Sequence, residues 1–148
     1  MTDKQKMNAA NAFVKKWTGI GEEIKDDQSY WHDLLQNVFG AANVTSRMEC
    51  QKPVKGDADT TKRIDVYIPE TRVLIEQKSL GTPLDRPQAG HKGMTPYQQA
   101  KEYDNELRLD EKARWINTSN FGEIWIYNMN PLCDRLVRLG ECRITEGS

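Results

Sequence analysis

Two carboxylates and a lysine, Asp65, Glu76 and Lys78, fall at positions where they could act together. Glu76 and Lys78 lie in the run Arg72-Val73-Leu74-Ile75-Glu76-Gln77-Lys78, whose apolar centre reads as a strand buried on both faces. Side chains two apart on a strand point the same way, so Leu74, Glu76 and Lys78 share a face. The preceding run, Arg63-Ile64-Asp65-Val66-Tyr67-Ile68, alternates, which sets Asp65 and Tyr67 on one face and Ile64, Val66 and Ile68 on the other. Pro69-Glu70-Thr71 reads as the turn between the two strands. A hairpin closing symmetrically about Glu70 and Thr71 puts Asp65 across from Glu76, with Cβ atoms about 4.5–5.5 Å apart. Two like charges so placed repel, and a divalent cation would compensate them. Mg²⁺ takes oxygen ligands and keeps several waters, so two carboxylates plus a phosphate suit it. Such an ion polarises a phosphate and lowers the pKa of a bound water. Lys78 would orient or deprotonate that water, or neutralise charge developing on the phosphate. The pattern alone fits equally well a polar strand face with a cross-strand ion pair. A one-residue slip in register would also send the carboxylates to opposite faces.

The elements that must position these residues can be read on either side of them. A helix is predicted from about Lys4 to Trp17, with Met7, Ala10, Phe13, Val14 and Trp17 on its apolar face. Gly19 and Gly21 end it. A second helix opens with Asp27 or Ser29 as cap, carries Tyr30, Trp31, Leu34, Leu35 and Val38 as its stripe, and stops at Gly40. Residues 46–55 read as a strand, and Lys55 to Asp59 as a polar turn-rich stretch. After the hairpin, residues 80–94 form a loop rich in Gly and Pro. Thr95-Pro96-Tyr97-Gln98 then announces a helix to about Leu107, with Thr95 as cap, Pro96 in the first turn and Gln98 closing a capping box. Strands follow at Arg114 to Thr118 and Glu123 to Tyr127, with a further short one about Arg135 to Val137. The expected architecture is a single α/β (α+β) domain over residues 1–148, a mixed sheet flanked by helices. Two other acidic-x-Lys triplets, Glu23-Ile24-Lys25 and Asp110-Glu111-Lys112, lie outside any strand with a partner carboxylate.

The bulk composition narrows the function classes. The 148 residues are 37% hydrophobic and 29% charged, with a net charge of −1. The mean hydropathy is −0.78 and the pI about 6.1. These values describe a polar globular protein, neither disordered nor a general basic coat for nucleic acid. No apolar stretch reaches spanning length and no signal-peptide core follows the polar N-terminus, so a cytoplasmic location without membrane contact is expected. Three cysteines, Cys50, Cys133 and Cys142, with only two histidines, fit free thiols better than a disulfide framework or a zinc site.

Asp65, then ten residues, then Glu76-Gln77-Lys78 resembles the PD-(D/E)xK nuclease motif, and Gln99-Ala100-Lys101-Glu102-Tyr103 resembles the Gln-x-x-x-Tyr signature of RecB-like nucleases. Longer blocks are similar to the N-terminal endonuclease domain of MmeI-like restriction-modification enzymes. They are Phe13 to Trp17, Tyr30 to Leu35, Tyr67 to Lys78, Thr95 to Ala100 and Arg114 to Ile116, within about residues 10–130. The resemblance implies a restriction-endonuclease-like core in the order αβββαβ. It also implies Mg²⁺-dependent hydrolysis of double-stranded DNA, with Mn²⁺ as a substitute ion, in a bacterial or archaeal cytoplasm. Asp65, Glu76 and Lys78 would be catalytic, and Asp65, Glu76 and the backbone carbonyl of Gln77 would hold the metal. Gln99 and Tyr103, four apart on one helix face, would bind a DNA phosphate or steady Lys78. Glu23 corresponds to an extra acidic residue that members place near the metal, although a solvated loop charge explains it as well. Arg86 and Lys92 would meet DNA phosphates, solvated loop charges being the plainer reading.

The resemblance further implies a methyltransferase and a target-recognition domain in the same or a partner polypeptide. Asn130-Pro131-Leu132 is not the Asn-Pro-Pro-Tyr motif of adenine methyltransferases, and no Gly-rich S-adenosylmethionine turn occurs. These 148 residues are therefore not expected to methylate DNA. One such site cuts one strand, so duplex cleavage implies at least transient pairing of two chains. Two other functions fit: a non-catalytic domain that binds DNA or docks a methyltransferase, and a stand-alone repair or mobile-element nuclease.

Overall fold

A computed structural model describes residues 1–55 and 61–130. Helices α1 (Asp3–Trp17), α2 (Glu23–Asp33) and the short α3 (Val44–Arg47) precede three strands, β1 (Glu49–Lys55), β2 (Thr61–Ile68) and β3 (Val73–Gln77). Helix α4 (Pro96–Glu106) leads to β4 (Trp115–Ser119) and β5 (Ile124–Asn128). The strands form one sheet in the order β1-β2-β3-β4-β5. Only β3 and β4 run parallel, because α4 carries the chain back between them; the other neighbours are antiparallel. The expected mixed sheet flanked by helices is present. Of the expected turn-rich stretch Lys55 to Asp59, Lys55 ends β1 and the rest lies outside the described residues, as does the expected strand about Arg135. Among the described residues no helix is long and apolar enough to cross a membrane.

Each face of the sheet buries against helices. On one face Val66 and Ile75 pack with Trp17, Tyr30, Trp31 and Leu34 from α1, α2 and the turn that follows, and with Phe121. On the other, Tyr67, Leu74 and Ile116 pack with Ala100 and Leu107 at α4 and with Tyr127. The β2–β3 hairpin has the expected register: Val66 faces Ile75, Tyr67 faces Leu74 and Ile68 faces Val73. The turn closes with Arg72 in the left-handed region at φ 53°, so the strand begins at Val73 rather than at Arg72.

The helices depart from the sequence reading in instructive ways. Helix α1 starts at Asp3 because Thr2 and Gln5 form a capping box. Of its expected stripe, Trp17 is buried and Phe13 packs beside it, but Met7 and Val14 are each 62% exposed. Helix α2 begins at Glu23, one turn before the expected Asp27 or Ser29 cap. Its first amides are satisfied by Asp26 Oδ2, which accepts from Glu22 N at 2.9 Å, and by Ser79 Oγ, which accepts from Glu23 N at 3.2 Å. Ser79 lies 56 residues downstream, so this cap is invisible to local pattern. The helix then widens into a π-helical turn at Leu34–Val38 before Gly40, which is left-handed as a helix terminator should be. Helix α4 matches expectation: Thr95 caps it, Gln98 closes the box and Pro96 occupies the first turn. The stretch 46–55 divides into the end of α3 and strand β1.

Strict alternation fails at one point in β2. Ile64 was expected opposite Tyr67, yet it packs in the same core as Tyr67 and Leu74, while Val66 faces α2. On β1, Cys50 packs towards α2 and Val54 towards α4, although both are even positions. The switch lies between them. Cys50 pairs with Val66 and Lys52 with Ile64, while Gln51, left-handed at φ 56°, and Asp65 stand between these pairs. The carbonyl of Gln51 accepts from Arg63 Nη1 at 3.2 Å, and Asp65 turns its carboxylate onto the Gln77 amide. The register is the same on both sides, so no residue is inserted; the change of face is confined to the Gln51 and Asp65 position.

The approach of the α1–α2 link to the β4–β5 turn gives a test of this packing. A Cβ on Gly21 would stand 2.5 Å from the ring of Phe121, a buried residue itself held at φ 69°. Gly21→Ala should therefore destabilise the fold by about 1–3 kcal/mol. A lowered thermal midpoint with secondary structure unchanged is the expected result, and an unchanged midpoint would contradict this packing.

Candidate functional site

Strand β3 ends where its chemistry begins. Glu76 and Lys78 point to the α4 side of the sheet and are each only 3% exposed. Continuing the observed hairpin register by one step sets Asp65 opposite Glu76. Asp65 Oδ2 accepts from Gln77 N at 2.8 Å. Lys78 Nζ lies 2.9 Å from Glu76 Oε1 and donates to Gln99 Oε1 at 2.8 Å. Lys78 N donates to Ser119 O at 2.7 Å, which extends the parallel β3–β4 pairing one residue past the strand. Gln99, 2% exposed, comes from the second turn of α4, and its Nε2 donates to Met94 O at 3.4 Å. The structure thus brings Asp65, Glu76, Lys78 and Gln99 together at the carboxyl end of the parallel pair, where open α/β sheets form ligand crevices. Tyr103, one turn further along α4, is half-buried against the core on the same side.

Two polar atoms here are buried without a partner, Glu76 Oε2 and Thr118 Oγ1. Thr118 is the register partner of Glu76 on β4, so both belong to one patch. A buried carboxylate oxygen left unbonded is costly, and the donor set suits a hard cation. Among the described residues no three His, Cys, Asp or Glu side chains form a ready-made metal cage. Two carboxylates nonetheless suffice for Mg²⁺, which completes its shell with waters and phosphate oxygens. The residues present fit such an ion.

The electrostatics match this geometry. Burial pushes the Glu76 carboxyl up to about 8, helped by the neighbouring Asp65 charge and only partly opposed by the Lys78 ammonium. Burial raises Asp65 to about 6, against the Gln77 hydrogen bond, and the charges of Glu23 and Asp27 add to the rise. The Tyr103 phenol is driven upward by burial and by the Glu76 and Asp65 charges, so it stays neutral at physiological pH.

The remaining candidates fall at different distances from this centre. Glu23, the first residue of α2, is near enough for its charge to act on Asp65, Glu76 and Tyr103. Arg86 and Lys92 are exposed on the loop between β3 and α4, Arg86 at 3.7 Å from Asp85 and Lys92 left-handed at φ 54°. The Gln77 side chain points to the other face, as alternation requires, and is fully buried there. Of the other acidic-x-Lys triplets, Glu23-Ile24-Lys25 opens α2, and Asp110-Glu111-Lys112 lies in and after a 3-10 turn. Sequence reasoning missed two members of the neighbourhood. Asp27, read as a cap, is a buried carboxyl whose charge reaches Asp65. Thr118 was read as an ordinary strand residue; its only signal is its register with Glu76, which requires the β3–β4 pairing.

The raised carboxyls make stability depend on pH with a definite sign. In the unfolded chain both ionise near about 4, whereas in the fold Asp65 keeps its proton to about 6 and Glu76 to about 8. Their contribution to stability is therefore full at low pH and is lost as pH rises through those two values. With chelator present, the thermal midpoint should fall between pH 5 and 8.5 (about), and Glu76→Gln should remove the upper part of that fall. A midpoint that rises over this range would contradict the assignment.

No curated protein and no solved structure is significantly similar to the chain. A family model described as "MmeI, N-terminal domain" matches residues 7–142, which includes the entire strand-helix-strand region that builds the site. The chain therefore belongs to the MmeI N-terminal domain family, and this associates it with restriction-modification enzymes.

Proposed function

We propose that the chain is a Mg²⁺-dependent endonuclease domain that hydrolyses DNA phosphodiesters at a PD-(D/E)xK site formed by Asp65, Glu76 and Lys78. The observation that carries this reading is the buried, unpartnered Oε2 of Glu76, within reach of the charge of a second carboxylate, Asp65, and next to the Lys78 ammonium. A polar strand face with a simple ion pair would leave neither the orphan oxygen nor two carboxyls holding protons so far above their ordinary range.

In this mechanism Asp65 and Glu76 would hold the cation, with the Gln77 backbone carbonyl as a third oxygen and Glu23 contributing charge from α2. Held there, Mg²⁺, or Mn²⁺ in its place, would supply Lewis acidity toward a phosphate oxygen and would lower the pKa of a water. Lys78 stabilises the charge that develops on the phosphate and orients the water. Its ammonium is fixed by Glu76 Oε1 and Gln99 Oε1, which lowers the reorganisation needed on reaction. Gln99 is thus a positioning residue for Lys78. Tyr103, neutral at working pH, is a donor for a phosphate oxygen. Arg86 and Lys92, exposed on the loop leading to α4, meet the backbone of double-stranded DNA. Sequence specificity comes from a target-recognition domain, alongside a methyltransferase in the same or a partner polypeptide. Duplex cleavage uses two chains paired at least transiently.

Plasmid nicking and calorimetric Mn²⁺ binding at low salt test this function. The parent chain should nick only with divalent cation, and Glu76→Ala and Lys78→Ala should each lose at least about 10²-fold in rate. Glu76→Ala should also lose ion binding. Failure of the parent to bind any divalent cation would overturn the proposal.

A further inference from the structure

The Gln77 side chain lies on the face of β3 opposite Glu76 and Lys78, fully buried, with its carbonyl oxygen and its amide nitrogen both hydrogen-bonded. Its Oε1 accepts from Trp31 Nε1 of α2 at 2.7 Å. Its Nε2 donates to Lys78 O at 2.9 Å and to Ser119 O at 3.2 Å. Ser119 O also receives Lys78 N, so one carbonyl at the end of β4 gathers both donors. The backbone amide of the same glutamine holds Asp65 Oδ2. A single residue is therefore bonded to the main chain of Lys78, to the carboxylate of Asp65 and to the tip of β4, and it is the covalent neighbour of Glu76.

We infer that the Trp31 indole and the Gln77 amide form a clamp that positions the metal-holding end of β3 from behind, making Trp31 a positioning residue for the site although it lies across the sheet. The inference rests on the metal-site reading above. Its physical basis is that β3 ends at Gln77 and is paired over Glu76 and Gln77 with β4 on one side only, so the seating of this end, and of Lys78 beyond it, depends on what else anchors the chain there. The β2 pairing stops at Val66 and Ile75, which leaves Asp65 and Gln77 as the only described link between β2 and the strand end. The Gln77 amide would rotate if its Oε1 lost the indole, because a buried carbonyl without a donor seeks another. Its Nε2 bonds to Lys78 O and Ser119 O would then move with it. Trp31 itself is rigid, packed edge-on against Tyr30 at 5.5 Å between ring centroids within the α1–α2 core. Groups that orient ligands from outside the metal shell typically change affinity about 10–100-fold when removed.

The test is Mn²⁺ affinity by calorimetry on the full chain, with thermal midpoints recorded in parallel. The variants are Trp31→Phe, Gln77→Met and the double variant. Trp31→Phe keeps the aromatic bulk and removes only the donor; it should weaken Mn²⁺ binding about tenfold. Gln77→Met should weaken it at least as much, and the double variant should match Gln77→Met alone, because the indole acts through the amide. Gln77→Met carries the same test should Trp31→Phe fail to fold. A lower midpoint with unchanged Mn²⁺ affinity in both single variants overturns the clamp and leaves the metal site standing. Additive losses in the double variant also overturn it, since Trp31 would then act by another route. A parent chain without Mn²⁺ affinity overturns the metal-site reading and the clamp with it.

Discussion

The fold is organised around an electrostatic liability, the Asp65 and Glu76 carboxyls brought close enough together at the end of a buried strand for the charge of one to act on the other. Burial disfavours a charged carboxylate, and a second one nearby disfavours it further. The protein meets this cost in part with the Gln77 amide on Asp65 and the Lys78 ammonium on Glu76, and in part by letting the carboxyls retain protons. It does not meet it fully, because one oxygen of Glu76 remains without a partner. Surrounding structure that tolerates such a cost is typical of sites whose missing partner arrives from solution.

An irregularity of the sheet lies beside this pair. A strictly alternating β2 would put Ile64 on the α2 face with Val66. Instead the face changes at Asp65, opposite Gln51, whose left-handed backbone is unfavourable for a non-glycine residue. Ile64 moves into the α4-side core, and Asp65 gains the Gln77 amide. Register is kept on both sides, so the distortion is confined to the residue that needs it.

Helix α2 is tied to the same place. Ser79 caps its first turn, Gly21 O accepts from Leu80 N at 3.0 Å, and Trp31 reaches Gln77. These three links join the start and middle of α2 to the segment from Gln77 to Leu80. They explain why Glu23 and Asp27 act on the carboxyls of β2 and β3, and why α2 starts a turn earlier than its own residues suggest. On the other side, α4 is fixed by a cap written in its own sequence, and it delivers Gln99 to Lys78 in its second turn.

What could be read from the chain alone follows from what is local. The period-two runs on either side of Pro69-Glu70-Thr71 determined the hairpin and its register, because turn length and alternation leave one pairing that buries both apolar sets. The Thr95-Pro96-Tyr97-Gln98 cap determined where α4 begins, since its partners are three residues apart. Glu76 and Lys78 share a face by the same local geometry. Tertiary structure alone decided the rest. The start of α2 depends on a hydroxyl 56 residues away. Met7 and Val14 are exposed because a helical stripe states what can be buried, not what meets a partner. Ile64 lies on the α4 side with Tyr67, against strict alternation, beside an Asp65 whose carboxylate accepts from Gln77 N. Thr118 and Trp31 join the neighbourhood through the β3–β4 pairing and across the sheet. Such contacts join residues whose separation in sequence carries no period, so no pattern in the chain could announce them.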